Sequence, residues 1–188
     1  MRIIAGEAKG RRFSAPEGRD TRPTLDRVKE SMFGMIQFDL PGAVVLDLFS
    51  GSGNLGLEAV SRGAEHAYLN DRSAVCCRVI RQNAELLGFH DRVTVTRMDY
   101  AERICTLQEA GSRVGIVLID APYADGTAAK AAEQVFRSGI LEEGGRVLVE
   151  HAQDQPPSVS EDCCRVLSTR HFGICAITEF GAPERREA

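Results

Sequence analysis

The chain has 188 residues, 43% of them hydrophobic and 27% charged, enough for one folded domain or a domain with a small extension. Its longest apolar runs, AVVL at 43–46 and GIVLI at 115–119, fall well short of the ~18 residues a membrane span needs. The first residues lack the apolar stretch of a signal peptide, so a cytoplasmic location without a membrane partner is expected. The net charge of −4 excludes a generally basic nucleic-acid binder.

The first 42 residues differ from the rest. Residues 1–14 read as a small hairpin around GEAKG, and 15–23 as a Pro/Gly-rich loop. Thr24 is placed to cap a helix running to about residue 39, with Leu25, Val28, Met32, Met35 and Ile36 on its apolar stripe. Residues 1–30 hold eight Lys/Arg and five acids, an excess of three positive charges that leaves seven net negative charges on the remainder.

From residue 43 onward strands and helices alternate. AVVLDL (43–48) is apolar on both faces and reads as a buried strand. A glycine loop and a helix over about 54–62 follow, and Gly63 stands where a helix C-terminal glycine belongs. HAYLN (66–70) is a second strand. Ser73 should cap a helix ending near Gly88, with Val75, Val79, Ala84 and Leu86/Leu87 on one face. The spacing then predicts a strand at 93–97, a helix at 101–110, a strand at 114–119, a helix at about 127–137 and a strand at 146–150. After QDQPPS, segments 163–170 and 173–180 are two strands with no helix between them, turned at Gly173 into an antiparallel pair. Five βα repeats closed by a hairpin imply an α/β fold, a mostly parallel sheet with one antiparallel edge strand. The six cysteines (76, 77, 105, 163, 164 and 175) have neither metal-ligand nor C-x-x-C spacing. They read as buried apolar residues of a reducing compartment, and the four histidines show no ligand spacing either.

DLFSGSGNLG (47–56) sets Gly51, Gly53 and Gly56 in a G-x-G-x-x-G pattern between strand and helix, with Asp71 20 residues past Gly51. That pattern serves two cofactor classes. Asp47, four residues before Gly51, would repel a pyrophosphate but attract the cationic ammonium and sulfonium end of S-adenosylmethionine. S-adenosylmethionine is therefore favoured over NAD. Phe49, Ser52 and Asn54 of the same loop are further candidate contacts. Asp71, ending the second strand, suits both ribose hydroxyls, and Asp99, following the third, suits the adenine amino group. Both lie where open α/β sheets bind ligands.

Asp120, Ala121, Pro122 and Tyr123 follow the fourth strand, beside the first. The lone pair of an exocyclic base amine is delocalised into the ring. A carboxylate and a backbone carbonyl that accept its two N–H groups can turn that lone pair toward a methyl sulfonium. Asp120 supplies the carboxylate, Ala121 or Pro122 a carbonyl, and Tyr123 a stacking ring. An ionised Asp matches the parallel N1–H and N2–H donors of guanine better than the donor–acceptor edge of adenine.

VLDLFSGSGNLGLEAVSRGA (45–64), DAPY (120–123), RIIAGEAKGRR (2–12) and TRPTLDRVKESMF (21–33) together resemble the RsmD-type methyltransferases, bacterial enzymes acting on guanine N2 of 16S ribosomal RNA. The resemblance spans nearly the whole chain. It implies a seven-stranded Rossmann-like class I methyltransferase fold, with a C-terminal antiparallel hairpin and a small hairpin-plus-helix extension. It also implies S-adenosylmethionine as donor and 16S ribosomal RNA or the small ribosomal subunit as partner. Residues 1–42 would be the RNA-binding extension and 43–188 the methyltransferase domain. On that basis Asp47, Gly51, Gly53, Asp71 and Asp99 are cofactor contacts and 120–123 the catalytic loop. Arg2, Lys9, Arg11, Arg12, Arg22 and Arg27 are candidates for RNA. Ala121 departs from the proline usual at that position. No metal is required, and a monomer is expected. Two other functions stay open: an adenine-N6 methyltransferase on DNA or RNA, and a non-catalytic RNA-binding ribosome assembly factor.

Overall fold

A computed structural model describes residues 1–15, 23–122 and 126–183, with residues 23–25 described through their backbone alone. The seven strands are β1 (Val44–Asp47), β2 (His66–Asn70), β3 (Val93–Thr96), β4 (Val114–Ile119), β5 (Leu141–Ala152), β6 (Arg165–Phe172) and β7 (Cys175–Gly181). They form one sheet in the order β3-β2-β1-β4-β5-β7-β6. β1 through β5 run parallel, and β7 lies antiparallel to both β5 and β6.

The hairpin corrects one expectation. The reversed strand is not at the edge: β7 inserts between β5 and β6, and β6 becomes the edge. Burial explains the choice, since every residue of β7 is buried while β6 (RVLSTRHF) is largely exposed and tolerates an open side. β5 is also longer than expected, because Leu141 pairs with Val114 across a register shift before Arg146 pairs with Ile116.

Side chains alternate across the sheet and build two cores. Val45, Leu69 and Leu118 face one side, with α1 (Pro23–Met35), α2 (Asn54–Ser61) and α3 (Ala74–Leu87) packed there. Leu46, Val117 and Val149 face the other, against α4 (Tyr100–Glu109) and α5 (Thr127–Ser138). In α3, Ser73 caps the first turn by accepting from Cys76 N–H. Its buried face is Cys77, Ile80, Ala84 and Leu87, whereas Val75 and Leu86 are exposed, so the buried face is rotated from the expected one. The true face keeps the 3, 4, 3 spacing of a helix stripe and recruits a cysteine.

α1 opens on Pro23, which places Thr24 inside the first turn rather than at the cap, and stops at Met35 rather than near residue 39. Ile36 and Leu40 remain buried beyond its end, so packing continues where the helix does not. The expected N-terminal hairpin is reduced to a loop closed by one antiparallel bridge, Arg2 with Arg12. Most of the 15–23 loop lies outside the described residues.

This loop is stitched to α2. Glu58 accepts the N–H groups of Ile4 and Ala5 at 2.8 and 3.0 Å, and the carbonyl of Ser61 accepts from Glu7 N–H at 2.8 Å. Gly6, at φ +84°, approaches so closely that a Cβ would sit 1.7 Å from the Ser61 carbonyl oxygen. Ile3, Ala8 and Phe13 then join the same core as α1 and α2.

Candidate active site

The parallel strands β1 to β4 bring their C-terminal ends to one side of the sheet, where the order reverses between β1 and β4. β1 ends in Asp47, fully buried. The chain then turns sharply, with Gly51 and Gly53 at φ +56° and +83°, into α2. Gly53 occupies the N-cap and has no side chain to cap with, so Asp47 takes that role: its Oδ2 accepts the Gly56 N–H at 3.0 Å. A Cβ on Gly56 would fall 1.8 Å from Leu69 Cδ2, so only glycine lets the helix sit this close to β2.

The other oxygen of Asp47, Oδ1, is buried without a hydrogen-bond partner. Burial pushes this carboxyl up to about 7. The Gly56 N–H opposes the shift, and the charge of Asp120 adds to it. A carboxylate so placed is stabilised by an added cation.

A cleft of about 430 Å³ opens beside this turn and is lined by Phe49, Asp71, Asp99, Tyr100, Asp120 and Pro122, among others. Five of these six are residues that sequence reasoning singled out. The exception is Tyr100, whose ring lies 5.5 Å from that of Phe49 at a 38° tilt. Its signal was its place directly after the Asp99 cap, where a first-turn side chain reaches back over the strand ends. Asp71 is half-buried and accepts from Gly51 N–H at 2.9 Å and Ser73 N–H at 2.8 Å, tying the end of β2 to the glycine loop. Each of its oxygens retains a lone pair for a ligand hydroxyl. Asp99 caps α4 through Ala101 N–H at 2.9 Å and is otherwise exposed to the cleft. Asn70 braces this end of the sheet: its Nδ2 donates to the carbonyls of Leu48 and Met98, and its Oδ1 accepts from Thr96.

Other candidates are held elsewhere. Asp47 lies under the glycine loop. The Ser52 hydroxyl faces Met1 Sδ at 2.8 Å, and Asn54 Oδ1 accepts from Lys29 Nζ at 2.9 Å. Asp120 is exposed at the end of β4. Ala121 is 2% exposed and packed with the core containing Ile119 and Val149, so burial supplies the anchoring that a proline ring would have given. Tyr123 lies outside the described residues.

The basic N-terminal residues divide. Arg2 pairs with Asp26 at 2.9 Å. Arg11 donates to the carbonyls of Leu86 and Leu87, satisfying orphan acceptors at the C-terminus of α3. Lys9, Arg12 and Arg27 are exposed, and Arg22 lies outside the described residues. Sequence reasoning missed Lys29, 2% exposed and 2.9 Å from the fully buried Glu58. Its other bonds go to the Arg2 carbonyl and Asn54. Burial lowers its pKa, with Glu58 opposing. The available signal was spacing, since Lys29 stands three and four residues before the buried Met32 and Phe33 of α1.

The donor set fits S-adenosylmethionine: a buried carboxylate under the glycine loop, one oxygen orphaned, whose charge favours a cation nearby, carboxylates at two strand ends for hydroxyl and amine donors, and an aromatic pair for a planar ring. Comparison with known proteins agrees. Yhhf of Escherichia coli, provisionally named a methyltransferase, shares the fold with a TM-score of 0.84 at 24% identity, over 97% of this chain and 98% of that one. YlbH of Bacillus subtilis (strain 168), provisionally named an rRNA methyltransferase, is 40% identical over 96% of this chain and 98% of its own. Ribosomal RNA small subunit methyltransferase D of Escherichia coli (strain K12) is 33% identical over 80% of this chain and 74% of its own. The family described as Conserved hypothetical protein 95 matches residues 1–181, and the chain belongs to it, among the RsmD-type rRNA methyltransferases.

Proposed function

We propose that the protein transfers a methyl group from S-adenosylmethionine to the exocyclic N2 of a guanine in small-subunit ribosomal RNA. In this reading residues 1–42 are the RNA-contacting extension and 43–188 the methyltransferase domain. One observation carries it: Asp120 lines the same cleft as Phe49, Asp71 and Asp99. The names of the relatives supply the rRNA substrate class.

S-adenosylmethionine, when bound, supplies an electrophilic methyl group on a sulfonium. Asp71 and Asp99 hold hydroxyl and amine donors at the strand ends, and the Phe49–Tyr100 pair shields the cleft from water. Asp120 accepts one N–H of the guanine amine, and a carbonyl of Ala121 or Pro122 accepts the other. This fixes the nitrogen with its lone pair aimed at the donor, so that rate comes mainly from positioning. Asp120 receives the proton the amine sheds, and its exposure lets that proton pass to solvent.

The test gives the full chain labelled S-adenosylmethionine and small ribosomal subunits lacking the modification, then digests the RNA to nucleosides. Label in N2-methylguanosine is expected. Label in N6-methyladenosine, or none, would overturn the assignment.

A further inference from the structure

Four exposed arginines gather where α3 meets the β3 edge of the sheet: Arg72 and Arg97, just past the ends of β2 and β3, and Arg78 and Arg81 on the helix. Two hydrogen bonds draw the group together. Arg97 Nε donates to the Arg72 carbonyl at 3.4 Å, and Arg81 Nη2 donates to the Val95 carbonyl of β3 at 3.2 Å. Arg78 stands three residues before Arg81, the spacing of neighbours on one helix face. None of the four makes an ion pair among the described residues. The acids of this stretch are engaged otherwise. Asp71 accepts from Gly51 and Ser73 N–H, and Asp99 accepts from Ala101 N–H. Glu85 and Asp91 lie 3.9 and 3.2 Å from His90, just past the end of α3.

Like charges held this close repel, and an anion placed among them relieves the repulsion. The planar guanidinium matches a phosphate through two parallel N–H groups. One small anion cannot serve all four, because Ser73 to Arg81 alone spans about 12 Å of helix. The matching ligand is a row of phosphates. Arg72 also lines the cofactor cleft beside Asp71, so that row would end at the mouth of the cleft. S-adenosylmethionine carries no phosphate, so cofactor binding leaves the arginines unused. The N-terminal extension rests on the same helix, with Arg11 on the Leu87 carbonyl and Ser14 on the Asn83 side chain. It spends Arg2 and Arg11 on bonds within the protein, whereas the guanidinium groups of Arg72 and Arg78 make none among the described residues.

We infer that this edge of the sheet is a second RNA-contacting surface, on which Arg72, Arg78, Arg81 and Arg97 hold the phosphate backbone flanking the methylated guanine. The inference rests on the proposed function, because it takes the phosphates to be those of the methylated RNA.

The test compares wild type with Arg78→Gln/Arg81→Gln/Arg97→Gln and Arg78→Lys/Arg81→Lys/Arg97→Lys; Arg72 is left intact because it lines the cofactor cleft. It measures binding to unmodified small ribosomal subunits over a range of salt, transfer kinetics, S-adenosylmethionine affinity by calorimetry, and thermal unfolding. The glutamine triple should lower the salt slope by about 2–3 and raise KM for the subunit about tenfold or more. Its kcat and cofactor affinity should stay within about twofold of wild type. The lysine triple keeps the charges and should keep the slope. If the glutamine triple does not fold, Arg78→Glu alone decides, with a severalfold rise in KM expected. A folded glutamine triple with the slope and KM of wild type would overturn the inference and leave the patch to another anionic partner. So would a loss confined to kcat, a lysine triple whose slope falls as far as that of the glutamine triple, or an Arg78→Glu with unchanged KM. Failure of the underlying function looks different: wild type itself would not methylate the RNA.

Discussion

Replacing Asp47 by Asn should stabilise the ligand-free protein and weaken its hold on the cofactor. The buried carboxyl is displaced from 3.8 to about 7. At 1.36 kcal/mol per unit, keeping it ionised costs the folded state about 4 kcal/mol at pH 8. The folded protein holds this proton to higher pH than the unfolded chain does. The stability it contributes is therefore complete below pH 3.8 and drains away up to about pH 7. Asparagine is neutral throughout and keeps an oxygen for the Gly56 N–H. Its advantage should grow from about 1–2 kcal/mol at pH 5 to about 4 at pH 8, a Tm gain of order 10 °C at the higher pH. Calorimetric unfolding of both proteins at the two pH values reads the difference directly, and subtracting wild type removes the titration of other groups. Cofactor affinity at pH 8 should fall about tenfold or more, because the neutral variant no longer attracts a cation. A variant-minus-wild-type difference that does not grow between pH 5 and 8 would refute this account of Asp47.

Asp120→Ala should lower kcat by about 100-fold or more while leaving S-adenosylmethionine affinity within a few-fold; equal collapse of binding would remove its role at the acceptor amine. Lys29→Met strands Glu58 in the core and should cost about 3 kcal/mol in urea unfolding, the low end for a broken buried pair because Ile4, Ala5 and Arg62 still donate to it. Replacing exposed Arg12 and Arg27 by Ala should weaken RNA binding and reduce the salt slope by about 0.7–0.9 for each phosphate left unneutralised. Arg11→Ala should instead lower stability by about 1 kcal/mol with the slope unchanged, since its guanidinium caps α3. An equal change of slope in both would contradict that division. Gly56→Ala should destabilise by about 1–3 kcal/mol, checked by its melting temperature, because Leu69 cannot clear the added methyl.

The parallel half of the sheet and its cleft were legible because their signals are local: apolar runs of strand length, a glycine pattern at one turn, acids at strand ends. What escaped depends on tertiary choice. A hairpin pattern does not say which of its strands enters the sheet, although the apolar CAITEF against the polar RVLSTRHF favoured β7. The face of α3 is misleading in sequence because the apolar Val75 and Leu86 turn to solvent, while Cys77 and Asn83 join Ile80, Ala84 and Leu87 on the buried side. Lys29 and Glu58 were hidden by the habit of assigning charges to water, and their mutual contact, together with the bonds to Ile4, Ala5, Arg62, Asn54 and the Arg2 carbonyl, makes their burial tolerable. Arg11 and Arg12 are neighbours in sequence, yet one is bound to a helix end 75 residues away.

The stitching of the N-terminal loop onto α2 bears on how a macromolecule would meet it. A segment pinned by Glu58 and Ser61, with no room at Gly6 even for a methyl group, has already lost its conformational freedom when the domain folds. An encounter of this segment with a partner would be a docking of preformed surfaces, not coupled folding. Association should then lack the large negative heat-capacity change of a segment that orders on contact. Substitutions on its exposed side would be felt chiefly in how long the complex lasts.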